Sequence, residues 1–448
     1  MAVRMKEKVI IVLLCCSIIV LNIRNAESGP AGRSVENDFT QEQMILQEEV
    51  FVVTENSGNG EYVFTPGTVA EIEDEHLKLY SISACLMDAD SGRILYGRNP
   101  YEVRAMASTT KILTCLLVLE NCSLDEVVTV SEYAASMPDV QLNMKAGEQF
   151  RLYDLLLSLM LESHNDTAVA VAEHVGGSVE QFCSMMTERA KELGCMNSVF
   201  LTPNGLDKEI ITEEGTQKHA TTAEELALIL RECLKNEQFV AICRTKNAMI
   251  YNVDKSKSYQ LSNHNALLNM MEGVVAGKTG FTCDAGYCYV GAVERNGITY
   301  ICSLLGCGWP NNKNYKWQDM KVLINYAEEN YNVAELSDDM INETYLNEIP
   351  VQNAVLDGER LDTVSLERKI DSEITEITVK RGEQLTVLYE LPSVLNAPLC
   401  KGDEAGRIHY IINGQTLMTE SLTVEQTIDK ITFADEFNLV MGHYLLSD

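Results

Sequence analysis

The sequence predicts an α+β fold, built around a sheet with helices packed on it and followed by a small all-β domain. Apolar strand-like runs flank an Asp/Ser/Gly turn at residues 88–92, helical patterns fill the middle of the chain, and strand patterns return near residue 286. Because strands come first and last, this sheet must join distant parts of the chain. After about residue 340 the apolar runs become short and alternate with polar residues between Gly, Asp and Asn turns, which is typical of all-β structure.

The N-terminus has the pattern of a secretory signal. Basic residues precede the uncharged run Val9–Leu21, which is shorter than the roughly 20 residues that a membrane span needs. Residues 1–26 are therefore predicted to be a signal peptide, with an uncleaved N-terminal anchor as the alternative and the only expected contact with a membrane. Residues 27–75 are polar and acidic and are predicted to be a loosely ordered spacer.

The elements of residues 76–335 follow from their periodicity. Tyr80–Met87 and Ile94–Tyr96 are predicted to pair as a hairpin. Strands at Gly286–Val293 and Ile298–Leu305 flank an Asn-Gly turn, and a closing helix follows at Lys316–Tyr331. The remaining helices are predicted at Lys111–Leu119, Leu152–Leu161, Thr167–Val175, Val179–Leu193 and Ala223–Leu234. In the β-rich part, residues 336–448, strands are predicted at Ser372–Val379, Gln384–Tyr389, Arg407–Ile412 and Thr416–Leu422.

Composition excludes several classes of function. The 448 residues include 35 Lys and Arg against 66 Asp and Glu, which gives a net charge of −31. Such a charge repels nucleic acid and anionic lipid, so neither is an expected partner. The chain has no CxxC pair and no HExxH motif, so we predict no metal site. Its scattered cysteines are predicted to be mostly free thiols within apolar elements.

One motif joins a nucleophile to a base. Ser108-Thr-Thr-Lys111 stands at the start of the predicted buried helix, where a spacing of three residues puts Ser108 and Lys111 on one side. A serine hydroxyl needs a base to remove its proton. A lysine can do so only when neutral, a state that burial and a nearby cation favour. About one Ser-x-x-Lys arises by chance in a chain of this size, so this motif alone is a weak signal.

Two further triplets strengthen the interpretation. Ser163-His-Asn165 follows a predicted helix, where Ser163 could also be an ordinary helix cap. Lys278-Thr-Gly280 begins a predicted strand, where the glycine allows close approach of a ligand to the backbone. Serine β-lactamases and penicillin-binding proteins carry these triplets in the same order, with Ser-Asp-Asn in the middle.

Residues 79–335 resemble the low-molecular-mass penicillin-binding proteins, the serine-type D-alanyl-D-alanine carboxypeptidases. The β-rich tail is similar to the C-terminal domain of that family. The resemblance implies a β-lactamase/transpeptidase-like domain, with a central antiparallel sheet between helices. It rests on the three triplets and on the stretches 87–95, 159–169, 172–177, 202–207, 278–282 and 397–403.

The resemblance also implies catalytic roles. Ser108 would be the acylated nucleophile and Lys111 its general base. Ser163 would relay a proton to the leaving group, with Lys278 helping to hold it. No metal or cofactor is implied.

For substrate binding, the resemblance implies a second set of contacts. Asn165 would bind the peptide backbone of the substrate, and Lys278 with Thr279 would hold its terminal carboxylate. The backbone N–H groups of Ser108 and Phe281 would form the oxyanion hole.

Some positions depart from the family pattern. Val275-Ala-Gly277 stands where the family often has Asp-Gly, which we expect to alter the start of that strand. Lys313 or Lys316 would replace an arginine that often helps to bind the carboxylate. His264 is a further candidate for lining the site.

The expected function is cell-wall trimming, with a consequent role in cell-wall biogenesis and cell shape. The enzyme would remove the terminal D-Ala from a peptidoglycan stem peptide ending in D-Ala-D-Ala, on the outer side of the cytoplasmic membrane, and β-lactam antibiotics would acylate Ser108. Endopeptidase and transpeptidase variants, a β-lactamase and a non-catalytic wall-binding protein are the alternatives. A β-lactamase would need a Glu-activated water. The segment between Leu206 and Ala220 contains Glu209, Glu213 and Glu214, in no arrangement that can be assigned to that role.

Overall fold

The computed structural model describes residues 44–55, 62–67, 76–138, 140–212, 215–369 and 375–436. The predicted signal peptide or anchor, residues 1–26, lies outside them. The chain divides into two compact units. Among the described residues, the larger unit comprises those from 76 to Val333 with Ile377–Arg381, and the smaller comprises those up to residue 67, those of Ala334–Glu376 and those from Gly382 to residue 436. The predicted domains were 76–335 and 336–448.

A five-stranded antiparallel sheet forms the centre of the larger unit. Its strands lie in the order Val274–Thr282, Gly286–Arg295, Ile298–Leu305, Ser83–Asp88 and Ile94–Arg98. Asn296 and Gly297 both have positive φ, at 52° and 82°, as the tight turn of a hairpin requires. The predicted pairing of early and late segments is confirmed, because Ile298–Leu305 lies beside Ser83–Asp88.

Helices cover both faces of this sheet, as an α+β fold predicts. Cys288 and Val290 point into a core shared with the helix Lys111–Asn121, whereas Tyr289 and Val293 pack on the other face with the helix Tyr315–Asn330. The other helices are Glu132–Ala135, Leu152–Leu157, Asn165–Gly176, Val179–Glu192, Ala223–Leu234, Glu237–Arg244 and Leu267–Met270. Short hairpins complete the unit, with strands Val127–Thr129, Gln149–Arg151, Glu209–Thr212, Gly215–Lys218, Asn247–Tyr251 and Ser258–Ser262.

The smaller unit is built almost entirely of strands, as predicted. Its six-stranded sheet has the order Leu366–Lys369, Gln415–Val424, Glu404–Ile412, Gln384–Pro392, Met44–Glu55 and Tyr62–Pro66. A four-stranded sheet has the order Glu359–Val364, Ile349–Leu356 and Leu395–Asn396, with Asp429–Lys430 also paired to Ile349–Leu356. The predicted strand at Ser372–Val379 is found at Glu376–Lys380, most of which belongs to the larger unit. Residues 370–374 lie outside the described part.

The prediction of a loosely ordered spacer at residues 27–75 is wrong for its central part. Met44–Glu55 is a strand of twelve residues that pairs with Gln384–Pro392 on one side and with Tyr62–Pro66 on the other. Phe51 and Val53 are buried. The polar composition of this segment hides one apolar stripe, and its partner strand lies far along the chain, where no local pattern could reveal it.

Two further features hold throughout the described residues. Within the described ranges, no helix has the length and apolar character needed to cross a membrane. The cysteines of the described residues are all free thiols, and most of them are buried, in agreement with the prediction.

Candidate active site

The nucleophile candidate lies in a tight turn at the start of a buried helix. Ser108 belongs to the 3₁₀ turn Ala107–Thr110, which leads directly into Lys111–Asn121. Ala107 adopts a φ of 49°, a left-handed conformation that is unfavourable for a residue with a Cβ. Thr110 Oγ1 donates to the Ala107 carbonyl at 2.8 Å and so supports this conformation. Such strained turns are characteristic of functional sites.

A buried histidine completes the support of this turn. The ring nitrogen Nδ1 of His219 accepts a hydrogen bond from the Leu201 amide at 3.0 Å, so the proton lies on Nε2, 2.8 Å from Thr110 Oγ1. Burial lowers the pKa of His219 to about 3. The ring therefore stays neutral, donates to Thr110 and leaves the Thr110 hydroxyl proton for Ala107.

Lys111 is the best-placed base for Ser108. Its side chain is fully buried, Nζ lies 2.9 Å from Ser108 Oγ, and it donates to Asn165 Oδ1 at 2.9 Å and to the Asn204 carbonyl at 2.6 Å. Burial and then repulsion from Lys278 hold the pKa of Lys111 well below its usual range, although the Asp166 carboxylate opposes this shift. Both main causes favour the neutral amine that a general base requires.

A second hydroxyl–lysine pair faces this site. Lys278 Nζ donates to Ser163 Oγ at 2.9 Å. Lys278 is 2% exposed, and burial lowers its pKa to about 7. Ser163 follows the π-helical turn Ser158–Glu162 and has a φ of 68°. Ser163 is the C-cap residue of that turn and not the N-cap of the next helix, because His164 occupies the latter position.

The amide side chain of Asn165 connects Lys111 to the segment that contains Pro138. Besides accepting from Lys111, it donates from Nδ2 to the Pro138 carbonyl at 3.2 Å. The neighbouring Asp166 is buried and accepts hydrogen bonds from the amides of Leu142 and Met144, at 3.0 and 3.3 Å. The first turn of the helix Asn165–Gly176 therefore holds both the lysine and the segment that borders it.

The edge strand of the sheet passes close to the nucleophile turn. A Cβ placed on Gly280 would lie 2.9 Å from the Ser108 amide nitrogen and 3.0 Å from that of Thr109. Only a glycine permits this approach. Thr279 and Phe281 flank Gly280 on the same strand, where Phe281 is 38% exposed and its ring lies 4.6 Å from that of Tyr287.

The sequence interpretation assigned no role to the loop that carries Asn204 and Gly205. Asn204 presents its carbonyl to Lys111 and, at 3.3 Å, to Ser108 Oγ. Gly205 has a φ of 84°, and a Cβ there would lie 2.0 Å from the Ala107 carbonyl oxygen. The Asn-Gly pair in residues 202–207 is the one local signal, since such pairs mark tight turns.

The positions that depart from the family pattern lie as follows. The strand at Lys278 begins with a register shift between Val274 and Ala276. His264 is exposed, with Nε2 3.1 Å from Glu162 Oε2. Lys316 Nζ lies 4.7 Å from the ring centres of Tyr287 and Trp317 and donates to the Lys313 carbonyl.

Of the three glutamates considered for a β-lactamase, only Glu209 is described. Its Oε2 lies 3.6 Å from Lys218 Nζ, and both side chains are largely exposed. Glu213 and Glu214 lie outside the described residues. These contacts give no support to a Glu-activated water.

Family profiles match both parts of the chain. The profile described as D-alanyl-D-alanine carboxypeptidase matches residues 70–308, and the profile described as penicillin-binding protein 5, C-terminal domain, matches residues 347–430. Among solved structures, the chain is similar to penicillin binding protein 5 from Haemophilus influenzae, with 25% identity, a TM-score of 0.61, and coverage of 80% of this chain and 100% of that one. This likeness identifies the α+β domain as the transpeptidase-like fold of penicillin-binding proteins.

Two curated relatives are similar in sequence. D-alanyl-D-alanine carboxypeptidase DacF of Bacillus subtilis is 30% identical over 371 residues, or 81% of this chain and 89% of that protein. A D-alanyl-D-alanine endopeptidase of Pseudomonas aeruginosa is 30% identical over 217 residues, or 48% of this chain and 67% of that protein. With the pairs Ser108–Lys111 and Ser163–Lys278 in one site, the chain belongs to the D-alanyl-D-alanine carboxypeptidase family of serine hydrolases.

Proposed function

We propose that this chain removes the terminal D-Ala from peptidoglycan stem peptides ending in D-Ala-D-Ala, through an acyl-enzyme on Ser108. The observation that carries the proposal is the 2.9 Å hydrogen bond between Lys111 Nζ and Ser108 Oγ, at a lysine whose pKa burial holds well below its usual range. A nucleophile in contact with an activated base is the requirement for acyl transfer.

In acylation, neutral Lys111 takes the proton of Ser108 while Oγ attacks the carbonyl carbon of the penultimate D-Ala. The carbonyl oxygen becomes negatively charged and is bound by the backbone N–H groups of Ser108 and Phe281. The close approach of Gly280 to the Ser108 amide supports this arrangement, because it brings the edge strand beside the nucleophile. One hydrogen-bond donor of an oxyanion hole typically increases the reaction rate by a factor of about 10²–10³.

The departing D-Ala needs a proton on its nitrogen. Ser163 supplies it from its hydroxyl and recovers a proton from Lys278, whose Nζ lies 2.9 Å away. A lysine with a pKa of about 7 can both give and take a proton near neutral pH. The C–N bond then breaks, and D-Ala leaves as the neutral amine that its environment reprotonates.

Deacylation repeats the chemistry with water as the nucleophile. The proton that Lys111 took from Ser108 first passes to solvent, and Lys278 regains a proton from solvent, so both lysines return to their starting states. Lys111 then takes a proton from water as the oxygen attacks the ester, the acyl–oxygen bond to Ser108 breaks, and the proton returns to Oγ. The same base serves both half-reactions.

For recognition, we assign the substrate carboxylate to the Lys278 charge and the Thr279 hydroxyl, and the peptide backbone to the Asn165 amide. β-Lactam antibiotics carry a carboxylate beside a reactive carbonyl, so they are expected to acylate Ser108 by the same contacts. We further propose that residues 1–26 direct export to the cell envelope, where this substrate occurs and where wall trimming influences cell shape.

The test is release of D-alanine from a Lys-D-Ala-D-Ala peptide by protein that starts near residue 32. We expect release by the wild type and by Ser184→Ala, an exposed serine that serves as the matched control, and none by Ser108→Ala. A folded wild type that releases no D-alanine would contradict the proposal. Hydrolysis of cross-linked peptides, measured in parallel, tests the endopeptidase activity that the Pseudomonas relative suggests.

A further inference from the structure

Three side chains with metal-binding atoms converge on the surface of the larger unit, away from the candidate active site. The Cys122 thiol, a carboxylate oxygen of Glu126 and a ring nitrogen of His174 all lie within 4.8 Å of one another. His174 Nε2 is 2.9 Å from Glu126 Oε2, and the two side chains are 25% and 42% exposed. The proposed reaction uses none of these residues.

The backbone around this cluster also favours a cation. Cys122 is the C-cap residue of the helix Lys111–Asn121, and His174 lies in the last turn of the helix Asn165–Gly176. The C-terminal ends of helices carry partial negative charge, which attracts a positive ion. The Ser123 amide donates to Glu126 Oε1 at 2.7 Å, which holds that carboxylate with its other oxygen facing His174.

We propose that Cys122, Glu126 and His174 bind a divalent transition-metal ion of the zinc class. Thiolate and imidazole ligands select such ions over Mg²⁺ and Ca²⁺, which prefer sets of oxygen atoms. Tetrahedral zinc would place the sulfur and nitrogen about 3.5 Å apart, within the spread of the cluster. Three protein ligands leave the fourth position to water. On binding, the Cys122 thiol loses its proton to solvent, so the affinity rises with pH.

The sequence shows this site only in part, because Cys122 and Glu126 are close along the chain whereas His174 is distant. The helices that end here begin at Lys111 and Asn165, whose side chains are joined by a 2.9 Å hydrogen bond. A helix of eleven residues is about 16 Å long, so the ion lies too far away to touch the reacting atoms. Its effect is to tie together the far ends of the two helices.

The experiment titrates protein starting near residue 32 with Zn²⁺ against a chromophoric chelator, and separately with Co²⁺. The background carries Cys283→Ser and Cys400→Ser, because these are the exposed cysteines of the described residues. We expect one Zn²⁺ per chain and, with Co²⁺, a thiolate-to-metal absorption band. Since even an outer-shell partner is worth about 10–100-fold in affinity, Cys122→Ser and His174→Ala should each weaken binding by about 100-fold or more.

The matched control is His264→Ala, because His264 also pairs with a glutamate, at 3.1 Å, but has no place in the cluster. It should bind Zn²⁺ like the parent. Zn²⁺, but not Mg²⁺, should raise the melting temperature of the parent and leave that of Cys122→Ser unchanged. Failure of the parent to bind Zn²⁺, or equal binding by parent, Cys122→Ser and His174→Ala, overturns the proposal. Release of D-alanine is measured separately, so neither metal binding nor its absence decides the proposed function.

Discussion

Gly280 lies where any side chain would touch the nucleophile turn. A Cβ at this position would meet the Ser108 and Thr109 amide nitrogens at 2.9 and 3.0 Å, and backbone atoms of a buried turn cannot move aside freely. We expect Gly280→Ala to push the edge strand away from Ser108 and to lower acylation by a fluorescent penicillin about 100-fold, the cost of losing one oxyanion donor. Unchanged acylation in a folded variant would show that the edge strand does not contribute to the oxyanion hole.

Gly147 provides a control for the loss of a glycine as such. It has a φ of 82° and no atom within 4 Å of its ideal Cβ. Gly147→Ala should therefore cost about 1–2 kcal/mol of stability through backbone strain and leave the acylation rate unchanged.

The pKa of Lys278 predicts how the reaction rate depends on pH. Its pKa of about 7 means that its positive charge is lost as the pH rises through that value, whereas Lys111 must lose its own proton to act as a base. The value of kcat/KM should therefore rise with pH as Lys111 deprotonates and fall above about pH 7. In Lys278→Arg the cation persists, so the falling limb should disappear even though the maximum rate drops. A falling limb at the same pH in this variant would assign it to another group.

At the scale of elements, the strand Met44–Glu55 is structural rather than a linker. Together with Tyr62–Pro66 it supplies two of the six strands of its sheet, and its pairing runs from Met44 opposite Pro392 to Val52 opposite Gln384. Removing residues 1–67 should expose the ladder of Gln384–Pro392 and uncover buried side chains. We expect rapid proteolysis within residues 384–424, with penicillin labelling of Ser108 as the readout for the larger unit. Equal cleavage rates with and without residues 44–67 would contradict this role.

Sequence patterns predicted the elements whose information is local. The helix at Lys111 and the Asn-Gly hairpin before Ile298 follow from runs of neighbouring residues, and both are found. The strand Met44–Glu55 was missed because its stabilising partner is more than 300 residues away. Five of its twelve residues are Gln, Glu or Thr, which gave the segment the composition of a linker.

The candidate site likewise contains residues that the sequence revealed and residues that it did not. The triplets identified Ser108, Lys111, Ser163 and Lys278, because chemistry restricts which residue types can stand there. The contribution of Asn204 was missed, because it acts through its carbonyl oxygen, which every residue has. The left-handed φ of Ser163 was equally hidden, since it follows from the irregular π-helical turn before it.

At the scale of the whole molecule, the larger unit carries two buried lysines in one site. Lys111 and Lys278 are 0% and 2% exposed, and the pKa of each is lowered mainly by burial. Burial of a charge costs free energy unless the group becomes neutral. The site therefore reduces the stability of the unit that carries it, as is common where function requires strained or buried polar groups.

This cost can be measured by removing one of the lysines. Unfolded Lys278 has the ordinary pKa of 10.5 and the folded residue about 7, so between these values the unfolded state binds more protons and wild-type stability rises with pH. Lys278→Met should abolish activity and yet raise the free energy of unfolding at pH 7 by a few kcal/mol, at about 1.4 kcal/mol per pKa unit. The gain should vanish near pH 10.5.

Urea unfolding followed by tryptophan fluorescence reports on this unit alone, because both tryptophans of the chain, Trp309 and Trp317, lie in it. Lys191→Met, at an exposed position, should show no such gain, and a gain for Lys278→Met that does not change with pH would trace the effect to packing rather than charge.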